Sequence, residues 1–239
     1  MSEKITHNSN NQNAIKARDQ KSNNPIQQRL KKEVAALKYA DLVLEVKQGE
    51  LHPKKDVLKN EDAGLALLAV DLGEPWTCHQ KYKVMDESHA KIFGRADVNG
   101  AKVVFCHLLV KRMSSVLDGF DDQVFGHYNL TRFFLAHAVT QIIREDEALT
   151  AIFNDPQSLF DTGKIGKFID VFASIATTTV DDLNAEVVEL VEAGNFDHKR
   201  DLKSPTWCKT MTGKLVSAYK KDVKRKRVQP IDELFADCL

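Results

Sequence analysis

Nowhere in the 239 residues do about 18 apolar residues run without a charge, the minimum for a membrane-crossing helix. The opening MSEKITHNSNN also lacks the apolar core of a secretory signal. These two absences predict a cytoplasmic chain with no membrane partner. Cysteine is sparse: Cys78, Cys106, Cys208 and Cys238 lie far apart with no Cys-x-x-Cys pair, which argues against a disulfide framework or a zinc ribbon and predicts four free thiols. Net charge is absent as well. Thirty-four basic residues balance thirty-four acidic ones, so no overall field draws the chain to DNA or to anionic lipid. Any nucleic-acid contact has to come from a local patch.

Several site signatures are also missing. Gly163-Lys164-Ile165-Gly166-Lys167 and Thr212-Gly213-Lys214 lack the glycine, lysine and hydroxyl spacing of a phosphate-binding loop. His127 and His137 are too far apart for the zinc spacing of one helical turn. In Cys106-His107 the two side chains diverge by about 100° on a helix and cannot readily share an ion. No metal site and no cofactor are therefore predicted, and no nucleophile with a matched general base stands out.

What is present is an ordinary apolar fraction of 43% with 28% charged residues, enough for a substantial core. Apolar spacing and punctuation predict a mainly helical chain with a small β hairpin or sheet element near residues 41–58. Leu42, Leu44 and Val46 alternate with Val43, Glu45 and Lys47, the period of a half-buried strand that Gly49 ends, and Asp56-Val57-Leu58 allows a returning strand. Asn23 reads as the cap of a first helix with Pro25 in its first turn, and Ile26, Leu30, Val34 and Leu37 form its apolar stripe. Asn60 reads as the cap of a nearly all-apolar helix from Glu61 to Leu72, stopped by Gly73 and Pro75.

Further helices are expected from Asp86 to Gly94, after Asn99, from Leu130 to Arg144, after Asp155-Pro156, from Ile165 to about Ala176, from Val180 to Ala193, and from Pro205 to about Arg227 behind Ser204. The β-branched run Thr177-Thr178-Thr179 predicts a break between the fifth and sixth of these. Residues 1–22 read as a polar, Asn-rich arm, 23–150 as a helical core with the β element, and 151–239 as a C-terminal helical region. Phe133, Phe134, Phe153, Phe160, Phe168 and Phe172 fall at helical spacings and read as core.

Five ordered blocks carry a resemblance: SNNQNAIKARD (Ser9 to Asp19), SNNPIQQRL (Ser22 to Leu30), VKQGE (Val46 to Glu50), NEDAGLALLA (Asn60 to Ala69) and HAKIFG (His89 to Gly94). In this order they resemble the C-terminal part of the abortive infection phage resistance (AIPR) family, over roughly residues 8–143. The resemblance implies a role in bacterial defence against phage. It also implies a nuclease-like domain ahead of the matched part, either missing here or supplied by a partner chain. The chain is then expected to act as a binding or sensing module that contacts nucleic acid or a partner protein.

Three groups of residues are candidates for that work. The amides Asn8, Asn10, Gln12, Asn13, Asn23 and Gln27, with Arg18 and Arg29, offer donors and acceptors suited to base edges or backbone groups; the plain alternative is a solvated loop and a helix cap. The run Lys220 to Arg227, in particular Lys224, Arg225 and Arg227, could contact phosphates or simply oppose the dipole at a helix end. Finally, Glu45 and Lys47 share one face of a strand. With Asp19 as a further carboxylate they would fit a magnesium-dependent nuclease, against the plain reading of an exposed ion pair. An oligomerising scaffold is the third functional class.

Overall fold

The computed structural model describes residues 23–47, 49–117 and 129–239. Helix α1 (Pro25–Ala36) begins where Asn24 Oδ1 accepts the Ile26 N–H at 2.9 Å. The cap is thus Asn24 and not Asn23, because Pro25 occupies the first helical position and the cap must immediately precede it. Gln27, Leu30 and Val34 form the buried face of α1. That face lies on the start of α4 (Gly100–Met113), where Asn99 Oδ1 accepts the Lys102 N–H at 2.8 Å and Glu33 Oε2 accepts the Gly100 N–H at 2.9 Å. Two carboxamide and carboxylate oxygens therefore satisfy first-turn donors that α4 cannot satisfy itself. Gly100 lets the two helices meet: a Cβ there would lie 2.6 Å from Glu33 Cβ and 2.7 Å from Val34 N.

The small sheet is present. Strands β1 (Val43–Glu45) and β2 (Val57–Lys59) pair with Val43 opposite Val57 and Leu44 opposite Leu58, but they run parallel, so the second strand does not return as a hairpin. Leu44 and Leu58 are both buried on the core side. At the far end Asn60 Nδ2 donates to the Val46 carbonyl at 3.2 Å, which ties the start of α2 (Asn60–Ala66) to the end of β1. That bond uses the side chain expected to cap the helix. Lys59 holds the cap position without a side-chain bond.

Helix α2 does not continue as one α-helix to Leu72. From Leu67 to Asp71 it widens into a π turn, in which the Leu72 N–H donates to the Leu67 carbonyl at 2.9 Å. Ala63 through Val70 are all buried, as an apolar run without a polar face requires. Short 3₁₀ turns and α3 (His89–Phe93) follow; Ser88, not Asp86, precedes α3, and Gly94 closes it.

The remaining helices are α5 (Asn129–Ile143), α6 (Glu147–Asn154), α7 (Gln157–Asp161), α8 (Ile165–Glu192), α9 (His198–Asp201), α10 (Pro205–Lys224) and α11 (Ile231–Leu234). Helix α6 was not anticipated from the sequence, although Asp146 Oδ1 accepts the Leu149 N–H at 2.9 Å in an ordinary cap. Helix α8 runs unbroken for 28 residues through the threonines. Thr177 and Thr179 hydroxyls donate to the carbonyls of Ala173 and Ile175 at 3.1 and 2.8 Å, so they bond back along the helix instead of ending it. Buried Ala176, Thr179 and Val180 then secure that stretch by packing.

One hydrophobic cluster extends from Leu30 to Cys238 and draws on nearly every element. Phe168 of α8 is its hub, with ring centroids 5.3 Å from Phe105, 5.9 Å from Phe153 and 4.6 Å from Phe235. Cys78, Cys106, Cys208 and Cys238 are free and buried, and burial raises each thiol's pKa. Among the described residues no helix is long and apolar enough to cross a membrane.

Candidate functional site

Helices α5 and α10 pack together through their apolar sides, with Cys208, Met211, Leu215 and Tyr219 of α10 buried. On the outer side they diverge from the π turn and leave a polar cleft of about 710 Å³. His137 and Gln141 of α5 and Arg144 just beyond its end line it, and Lys209, Thr212, Val216 and Lys220 do so from α10. Asp71 and Gly73 form its floor. Gly73 has φ +68°, and a Cβ there would meet His137 Cε1 at 3.3 Å, so both backbone and space call for glycine.

The floor is an ionic cluster. The Asp71 carboxylate is only 6% exposed; it bonds to Arg95, lies 3.6 Å from Lys102 Nζ, and is 3.9 Å from the Arg144 guanidinium. Lys102, itself 1% exposed, also pairs with Asp97 at 2.6 Å. That hydrogen bond to Lys102 holds the Asp97 carboxyl below its ordinary pKa. Lys220 at the other end takes Glu145 at 2.6 Å. The lining itself carries Arg144, Lys209 and Lys220 against Asp71 and Glu145, which leaves positive charge in excess.

Three polar atoms in the cleft wall are buried and have no partner among the described residues: His137 Nδ1, Arg144 Nε and Thr212 Oγ1. Such atoms are costly to bury unless something bonds them. Burial pushes the His137 pKa down to about 4, with Arg144 acting in the same direction and the Ala69 carbonyl against it. The ring is thus neutral near pH 7. The cleft thus presents Lys209 and Lys220 as its exposed cations.

A second cleft of about 530 Å³ lies on the other flank of α10, against Asp182 and Glu186 of α8. It contains Lys214, Lys221, Arg225 and Arg227, and it shares Gly213 and Ser217 with the first cleft. The ridge between the clefts is low because those two side chains are small. Lys214 pairs with Glu186 at 2.7 Å and Arg227 with Asp222 at 3.5 Å. Lys221, Lys224 and Arg225 are exposed and make no ion pair among the described residues. Burial, together with Asp222, Asp181 and Glu186, raises the Asp182 pKa.

The residues singled out in the sequence are scattered. Asn8, Asn10, Gln12, Asn13, Arg18 and Asp19 lie outside the described residues. Asn23 is exposed just ahead of α1. Gln27 is fully buried, with Nε2 3.2 Å from His89 Nε2, and Arg29 bonds Glu33 at 2.9 Å and the Val98 carbonyl at 2.9 Å, so both stitch α1 to its neighbours. Glu45 is buried and accepts the Gly49 N–H at 3.0 Å, whereas Lys47 is exposed beyond the end of β1. Among the described residues no group of three or more histidines, cysteines or acids could hold a metal ion.

Only the basic run joins the clefts: Arg225 and Arg227 line the second, while Lys224 lies in a smaller pocket on the first cleft's flank with Glu145, Val216 and Lys220. Sequence reasoning missed Asp71, His137, Arg144, Lys209 and Thr212. The one available signal was the polar series His137, Gln141, Arg144 at one-turn spacing, running off the end of a mostly apolar helix. No family model matches the chain, and comparison with curated proteins and with solved structures brings no match. The likeness of the five sequence blocks to the AIPR family gains no support from these comparisons.

Proposed function

We propose that this chain is a binding module that takes the phosphate backbone of a nucleic acid across α10. The support for this is the joining of two clefts over Gly213 and Ser217, with Lys209, Lys220, Lys221 and Arg225 along their length. From Lys209 to Arg225 the helix covers about 24 Å. That is about seven nucleotide steps at about 3.4 Å per step of one strand. No phenylalanine, tyrosine or tryptophan lines either cleft and His137 is buried, so contact is with the backbone and not by base stacking, and little sequence preference is expected. The neutral net charge fits a patch that works locally. The resemblance to the AIPR family would place such a module in defence against phage, with any cutting chemistry supplied by a preceding domain or a partner chain.

The test is fluorescence anisotropy with short labelled single-stranded and duplex DNA and RNA over a range of salt. Lys221→Gln with Arg225→Gln should weaken binding and lower the slope of log K against log salt by about 1.4, at about 0.7 per single-strand phosphate contact. The exposed pair Lys54→Gln with Lys55→Gln, away from the clefts, should leave both quantities unchanged. Equal affinity and slope in the two double variants would remove the proposal.

A further inference from the structure

We propose that the apolar pocket on the flank of the larger cleft takes one unpaired nucleobase of the bound strand, guanine before the others, with the Asp232 carboxylate accepting from its pairing edge. This inference rests on the nucleic-acid reading, which brings the strand to α10. It adds a preference at one position that the two clefts do not themselves supply.

The pocket holds about 320 Å³ between the end of α5, the last turns of α10 and the start of α11. Its accessible walls are the half-buried Val216, Val223, Pro230 and Ile231. Val216 and Val223 lie two turns apart on one face of α10. Between them Tyr219, 5% exposed, donates its hydroxyl to the Gln229 carbonyl at 2.9 Å, which ties the turn carrying Pro230 and Ile231 to the helix. The walls are therefore fixed before anything binds. An apolar enclosure with a few polar groups at its mouth, near the lower end of the usual range of about 300–1,000 Å³, fits a single small ring system.

The polar groups at the mouth decide what that ring system is. Glu145 is taken by Lys220 at 2.6 Å, and Asp146 gives Oδ1 to the Leu149 N–H. Asp232 and Lys224 are exposed and have no partner among the described residues, which leaves one free carboxylate and one free ammonium beside an apolar wall. An aliphatic or aromatic side chain of a protein would fill the walls and leave both charges unanswered. A nucleotide answers all three features, with a flat apolar face for the walls, N–H donors on its edge for Asp232 and a phosphate for Lys224. The position agrees with this, because Glu145, Val216 and Lys220 line both the pocket and the larger cleft. A base turned aside from a backbone held at Lys220 enters the pocket directly.

An ionised carboxylate only accepts hydrogen bonds, and it does so through two oxygens. Guanine offers two adjacent donors on its pairing edge, N1–H and the N2 amino group. Adenine and cytosine set one amino donor beside a ring nitrogen acceptor, and thymine or uracil flanks its one donor with two carbonyls that repel the carboxylate. The match with guanine is thus bidentate, of the kind that discriminates between bases by about tenfold or more. In a duplex that edge is already paired, so the preference belongs to single strands.

The experiment titrates the full chain by fluorescence anisotropy with a short labelled thymidine strand and with the same strand carrying one central guanine, adenine or cytosine. The guanine strand should bind about tenfold more tightly than the thymidine strand. The corresponding duplexes should bind alike. Asp232→Asn, a change at an exposed position, should bind the guanine and thymidine strands equally. Val223→Phe, which fills the pocket, should also lose the preference, with circular dichroism to show that it is folded.

Salt-dependent binding of all four strands with equal affinity would overturn the base pocket and leave the backbone reading standing. A preference that treats adenine and guanine alike and survives Asp232→Asn would overturn the assignment of that carboxylate to the base edge. Failure of every strand to bind would overturn both the pocket and the backbone reading, and methyl NMR shifts of Val216, Val223 and Ile231 with an apolar peptide would then assign the pocket to a protein partner.

Discussion

Asp71 is where the cleft is most exposed to a single substitution. Its carboxylate is 6% exposed and receives Arg95, Lys102 at 3.6 Å and Arg144 at 3.9 Å. Asp71→Asn keeps the shape and removes the charge. Lys102, 1% exposed, would then be left with Asp97, whose carboxylate is half in solvent, as its one remaining partner among the described residues. Removing one member of a buried ion pair costs about 3–5 kcal/mol, chiefly because the other charge stays buried. Against a typical total of about 5–15 kcal/mol that loss is large. Urea unfolding followed by circular dichroism should show it as a lower midpoint at unchanged slope. Adding Lys102→Met removes the stranded ammonium at similar length, and it should restore at least about 1 kcal/mol of the loss. A loss in Asp71→Asn below about 1 kcal/mol, the scale of a solvated pair, would refute the description of this cluster as buried and mutually dependent.

Four further outcomes are expected. Gly100→Ala places a Cβ 2.6 Å from Glu33 Cβ and 2.7 Å from the Val34 nitrogen, so α1 must shift at a cost of about 1–3 kcal/mol; an unchanged thermal midpoint contradicts the close approach. His107 and His137 are both pushed down to about 4, mainly by burial, so the unfolded chain binds protons that the folded one refuses. Stability should be complete above about pH 6.5 and fall as the pH drops toward 4, by up to about 3 kcal/mol per histidine; equal urea midpoints at neutral pH and near pH 5 would contradict this. Thr178→Pro should cost about 3 kcal/mol or more if α8 is continuous there, and little if the threonines end a helix; calorimetry distinguishes the two. The four buried thiols should react with a thiol reagent only on unfolding, and rapid reaction of the native chain would contradict their burial.

Features settled by a side chain and its immediate neighbours were legible in the sequence. Asn99 and Ser204 cap where expected, Pro205 starts α10, and Gly194 at φ +68° closes α8. Features decided by distant packing were not. The threonines of α8 prefer caps and turns in isolation, but a buried helix face overrides that preference. Asn60 is an equally good cap on paper, yet a carbonyl fourteen residues upstream takes its side chain. The parallel course of β2 likewise had no local signal.

The candidate site divides in the same way. Arg225 and Arg227 could be read because they lie in one charged run, whereas His137, Arg144, Asp71 and Thr212 come from three separate segments and are joined only by folding. The amides Asn23 and Gln27 looked like one recognition surface because they are close in sequence. Helical geometry turns Gln27 into the core and leaves Asn23 outside.

The most direct measurement is lysine footprinting by mass spectrometry, in which the native chain is acetylated briefly with and without a saturating short single strand. Lys209, Lys221 and Lys224 should lose reactivity in the complex while Lys32, Lys54 and Lys55 keep theirs. Uniform reactivity throughout, or protection confined to lysines away from α10, would contradict a nucleic-acid surface on that helix.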